Sequence, residues 1–176
     1  CAATSRGSTM TDRAEVLARE LEESFRNRAL LYWSIYDELR REVGAERAEA
    51  ILGRAIERRG EAAGAALFGS LTERTPAAVA RAFLAVSPNG GTMYPHEVQR
   101  DPDGAVHVKV TRCPLKDAWT EAGLGSDDLR TICRVAGRFD TGCFGAAGVA
   151  FSADTWVPGA AGCCHLHLGP AEMRKS

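Results

Sequence analysis

Apolar residues recur at spacings of three to five from Asp12 to about Val43, as Val16, Leu17, Leu21, Phe25, Leu30, Leu31, Ile35 and Leu39. That is the period of a helix with one face in a core, with arginines gathering towards its C-terminal end as the helix dipole prefers. Gly44 marks the stop. The same period resumes from Ala45 through Leu71, carried by Ile51, Leu52, Ala55, Ile56 and Leu67. Gly60, Gly64 and Gly69 fall inside this stretch and are read as sites of close helix packing. Thr75-Pro76 supplies a cap followed by a first-turn proline, which predicts a short helix to about Val86.

Ser87-Pro88-Asn89-Gly90-Gly91 breaks the helical pattern, and the period then falls to two. Residues 96–100 and 106–111 alternate around Asp101-Pro102-Asp103-Gly104, the signature of a β-hairpin. A helix follows at about Leu115 to Ala122. Another, opening at Ser126, runs through Leu129, Ile132, Val135 and Phe139. Strands return at roughly Gly148–Ser152 and Cys164–Leu168, separated by a turn rich in proline and glycine. N-terminal helices packed on an antiparallel sheet of two hairpins, with helices intervening, make an α+β domain.

At 176 residues, 45% apolar and 26% charged, the chain fits one globular domain over 10–176. Residues 1–9, patternless ahead of Met10, are read as a leader or expression remnant outside the fold. A net charge of −1 gives no basis for nucleic-acid or acidic-membrane binding. No apolar run reaches the ~18 residues of a membrane span, and no signal peptide is legible. The expected setting is the cytoplasm, with a small-molecule substrate as partner and homo-oligomerisation left open. Thiols stay reduced there, so the cysteines are not read as a disulfide framework.

Those cysteines carry the chemistry. Apart from Cys1, all lie in the C-terminal part: Cys113, Cys133, Cys143, Cys163 and Cys164, with His165 and His167 following directly. Such a gathering builds either a thiol active site or a metal centre. Cys113 ends a strand in Arg112-Cys113-Pro114-Leu115, and the helix beginning there directs unpaired N–H groups at the thiol. That environment favours the thiolate; the alternative is a cysteine filling a buried corner. On the last strand, alternation puts Cys164, Leu166 and Leu168 on the core face, and Cys163, His165 and His167 on the other. Cys133 and Asp140, seven apart, share one helix face with Ala136. Zinc-binding spacings such as Cys-x2-Cys are absent, although Cys113, Cys133, Cys164 and His165 could converge in space. The expectation is therefore no cofactor, with zinc as the minority alternative. Arg59 is a candidate clamp for a substrate carboxylate. Tyr32, Trp33 and Tyr36 form an aromatic band suited to packing or to lining a ligand site.

In order along the chain, Arg28-Ala29-Leu30-Leu31-Tyr32-Trp33, Arg58-Arg59-Gly60, Val110-Thr111-Arg112-Cys113-Pro114-Leu115, the Cys133–Asp140 helix and Cys163-Cys164-His165-Leu166-His167 resemble the L-2-amino-thiazoline-4-carboxylic acid hydrolase family. The resemblance spans about Arg28 to Leu168. It departs in two places: Ala136-Gly137 stand where an acidic residue is expected after the helix cysteine, and the cysteine before His165 is doubled. The resemblance implies an α+β fold, also similar to ligand-binding domains related to vinyl reductases. It also implies opening of a cyclic isothiourea by water. On that reading Cys113 attacks the amidine-like carbon or positions water, His165 shuttles the proton, and Asp140 orients or charge-balances it. Cys133, Cys164 and Tyr32 line the pocket and Arg59 holds the carboxylate. A binding module without turnover, or a tailoring enzyme for a larger heterocycle in secondary metabolism, are the alternatives.

Overall fold

In the computed structural model, residues 10–171 are described; residues 1–9, and the reading made of them, lie outside this span. Five α-helices and one four-stranded sheet occupy this span: α1 (Met10–Val43), α2 (Ala45–Phe68), α3 (Pro76–Ala85), β1 (His96–Arg100), β2 (Val106–Val110), α4 (Pro114–Glu121), α5 (Ser126–Gly145), β3 (Ala150–Asp154) and β4 (His165–Gly169). The sheet is antiparallel throughout in the order β1-β2-β4-β3. The two hairpins therefore meet along a β2–β4 seam, and the α+β class holds.

The elements form where local chemistry asks for them. Thr75 caps α3 by accepting a hydrogen bond from the Ala78 N–H. Gly104 takes a positive φ in the β1–β2 turn, where an L side chain would be strained. β2 and β4 read buried at alternate positions, so Val106, Val108, Leu166 and Leu168 face inward. Helix α5 runs to Gly145, with Cys133 and Asp140 both inside it, as their shared face requires.

Glycine does the packing work in α2. A Cβ on Gly60 would collide with the Phe139 carbonyl, one on Gly64 with that of Cys143, and one on Gly142 of α5 with that of Glu57. The two helices thus lie backbone against backbone, as the interrupted pattern predicts. The core falls into two clusters. One joins α1, α2, α4 and α5 around Tyr36, Ile56, Trp119 and Ile132; the other sits between α3, α5 and the sheet around Phe68, Val79 and Phe144. Trp119 donates its indole N–H to the Ala29 carbonyl at 2.7 Å, fixing α4 on α1.

Candidate active site

Between these clusters lies a cavity of about 340 Å³, at the small end of ligand-binding sites. Its wall draws on most layers of the fold: Phe25, Arg28 and Tyr32 of α1; Tyr94 and His96 before and at the start of β1; Val108 and Val110 of β2; Cys113 and Leu115 at α4; Cys133, Ala136 and Asp140 of α5; and Cys163, Cys164 and Leu166 at β4. Four sulfurs and a carboxyl from distant parts of the chain converge on one hollow.

Cys113 is the residue before α4, extended because Pro114 follows it. The Leu115 and Lys116 N–H groups do aim at its sulfur and pull its pKa down. They lose, however, to the neighbouring Cys163 thiol and to burial, which push the thiol well above its ordinary value. The expected lowering of the thiol's pKa is therefore corrected: its direction is upward. Burial likewise pushes Cys133 up to about 12. For Cys163, the interaction with Cys113 pulls down, but the contact with Cys164 and burial together outweigh it. The Cys163 and Cys164 sulfurs lie 3.5 Å apart. Cys163 reaches the cavity despite its odd position because β4 begins only at His165. Gly162, at φ 74°, turns the chain just before it, so strand alternation does not apply there.

Asp140 faces the same space. Burial raises its carboxyl to about 7. It keeps some accessible surface because it borders the cavity. Among the described residues it makes no hydrogen bond or ion pair. Tyr94 stands against Asp140, Cys113 and Arg28, and burial holds its hydroxyl far above the usual range. His96 donates from Nδ1 to the Tyr94 carbonyl at 2.8 Å, since a carbonyl can only accept.

Two expected site residues lie elsewhere. Arg59 is exposed on α2 and does not line the cavity. It follows from Gly60: that glycine abuts α5, and the preceding residue is turned about 100° round the helix towards solvent. Arg28 is the arginine at the cavity. Its guanidinium lies 4.1 Å from the Phe25 ring centre and has no carboxylate partner among the described residues. His165 is on the far face of the sheet, because Leu166 and Leu168 occupy the inward face of β4. It lies with His107 and His167, not with the thiols. The four-ligand set of Cys113, Cys133, Cys164 and His165 therefore does not assemble. Cys113, Cys133, Cys164, Asp140 and Tyr32 do share the cavity as expected. Sequence reasoning missed Arg28, Tyr94 and His96. Only Arg28 left a signal, standing three after Phe25 and four before Tyr32 on one helical stripe.

The α+β fold thus encloses a cavity lined by thiols, a carboxyl and an arginine without a carboxylate partner among the described residues. Residues 24–168 match the family described as L-2-amino-thiazoline-4-carboxylic acid hydrolase, and the chain belongs to that family. No curated protein and no solved structure matches it. No helix among the described residues is long and apolar enough to cross a membrane.

Proposed function

We propose that the protein opens a small cyclic amidine or isothiourea bearing a carboxylate, of the 2-aminothiazoline-4-carboxylate kind, at a ring carbon–nitrogen bond. The observation that carries this reading is the convergence of Cys113, the unpartnered carboxyl of Asp140 and the guanidinium of Arg28, which has no carboxylate partner among the described residues, on one enclosed space. Family membership supports the reaction class.

Arg28 pairs with the substrate carboxylate, replacing Arg59 in that role, and Tyr94 stands beside it. The Cys113 sulfur adds to the electron-poor ring carbon while the Asp140 carboxylate takes its proton. The ring carbon–nitrogen bond then breaks, and Asp140 returns the proton to the departing nitrogen. The departing amine takes its second hydrogen from the exocyclic amino group, which becomes an imine. Water then adds to the carbon, giving one proton to that nitrogen and one to the Cys113 sulfur as it leaves, so one water is consumed and a carbamoyl group remains on the substrate sulfur. A carboxyl near 7 suits both halves of this relay, which the notional His165 shuttle cannot serve from across the sheet.

Product formation from the thiazoline, followed by mass spectrometry, tests the reading. Cys113→Ser should abolish turnover. Arg28→Gln should cut kcat/KM about 10- to 100-fold, mostly through KM, as expected for a lost charge-assisted bond. Full activity in Cys113→Ser would remove the covalent route. A second reading, binding without turnover, draws on the upward shift of the Cys113 and Cys133 thiols, which disfavours the nucleophilic form. It predicts thermal stabilisation by the thiazoline with no product from the unmodified protein.

A further inference from the structure

We infer that the outer face of the sheet carries a metal site, built by His107, His165 and His167 for a borderline transition-metal dication such as zinc. One ring nitrogen of each histidine lies within 4.8 Å of those of the other two. All three are half-buried. The register produces this: His107 of β2 is directly opposite His167 of β4, and His165 sits two residues earlier on the same face.

The surroundings are those of ligands already oriented. His107 Nε2 is 3.0 Å from the Asp101 carboxylate, and His167 Nε2 is 3.0 Å from that of Asp154. A carboxylate only accepts, so each Nε2 bears a hydrogen, and each ring is held with its Nδ1 towards the other. Those two Nδ1 atoms face each other at 2.8 Å. In the ion-free protein one proton between them makes that contact a hydrogen bond, and a metal ion would take that proton's place. A carboxylate–imidazole pair on each side is the arrangement that fixes histidine ligands on a metal. Around a tetrahedral ion, with nitrogens about 2.1 Å from the metal, the two would stand about 3.4 Å apart, a small opening of the rings. Three imidazoles leave a fourth position towards solvent for water or an exogenous donor. Lys109, opposite His165 in the register, opposes a dication; Asp101 and Asp154 offset it.

The site is separate from the thiol cavity, which lies on the inward face of the same strands, and it holds whether or not ring opening is the reaction. Because it ties β2 to β4, an ion there clips the two hairpins along the seam where they pair.

Cobalt(II) and zinc(II) titrations of chelator-stripped full-length protein test this. One ion per chain is expected, with a visible cobalt spectrum of nitrogen and oxygen ligation and no thiolate charge-transfer band. Zinc should raise Tm. His167→Gln should abolish binding, and Asp154→Asn, on a side chain that is 81% exposed and cannot endanger folding, should weaken it about 10- to 100-fold. Lys109→Met should tighten it, and Cys164→Ser should leave it unchanged. A thiolate band, loss of binding in Cys164→Ser, or affinity indifferent to Asp154→Asn would each overturn the proposal.

Discussion

Asp140 shows what a single enclosed carboxyl does to this protein. Its carboxyl sits near 7 in the folded chain because burial penalises the charged form, against about 3.9 when unfolded. Between those values the folded state holds a proton that the unfolded state has lost, so stability falls as pH rises from about 4 to 7 and stays lowered above. The cost has an upper bound on the order of 4 kcal/mol. Asp140→Asn removes it. In urea unfolding the variant should exceed the parent in stability at pH 8, with the difference shrinking towards pH 4. The same substitution should lower kcat by about 10²–10⁴ if the carboxylate relays the proton. In the parent protein, kcat/KM should then rise with pH through about 7. A variant that gains stability and keeps activity would strip Asp140 of its chemical role while leaving its burial intact. Such a stability–activity exchange is what a group held for chemistry predicts.

At the scale of elements, α2 and α5 read each other through missing side chains. Gly60→Ala or Gly142→Ala drives a methyl into a backbone carbonyl of the opposite helix. Neither carbonyl can move without moving its helix, so each substitution should cost about 1–3 kcal/mol or more in denaturant unfolding. Gly145→Ala, where a Cβ meets nothing within 4 Å, is the control and should be neutral or slightly stabilising. Because α5 carries Cys133 and Asp140 on its cavity face, the packing variants should also lower activity. These elements were largely legible from the sequence, since helix and strand periods are set by neighbours three, four or two positions away. Hairpin pairing followed from the short β1–β2 turn. The failures came from information that a period does not hold. β4 has the predicted inward face of Leu166 and Leu168, but its alternation stops at His165, and the bend at Gly162 carries Cys163 to the cavity. The same parity that puts Leu166 on the cavity sends His165 to the opposite face. Arg59 and Arg28 differ by which neighbour faces inward: Gly60 meets α5, whereas Phe25 and Tyr32 meet the cavity.

For the whole molecule, the decisive property is that residues remote in sequence reach one hollow while others of the same type do not. Cys143 illustrates the contrast. It is 2% exposed, packs with Phe144 and the sheet, and takes no part in the cavity wall. Burial pushes its thiol up to about 11. A small alkylating reagent that enters the cavity meets Cys113 and Cys164, which are only half-buried, without unfolding the protein. Reaching Cys143 requires parting α5 from the sheet, an opening whose cost approaches that of global unfolding. Peptide mapping of native protein treated with iodoacetamide should therefore show Cys113 or Cys164 labelled first and Cys143 last, with Cys143 following the unfolding transition in urea. The raised pKa values of Cys113 and Cys143 slow their reactions at neutral pH, since the thiolate is the reacting form, so the order rather than the absolute rate is diagnostic. A carboxylated thiazoline bound in the cavity should protect Cys113 and Cys164 and leave the behaviour of Cys143 in urea tied to the stability gained on binding. Cys143 reacting as fast as Cys113 in native protein would mean that the sulfurs share no sheltered space, and the site built from them would not stand.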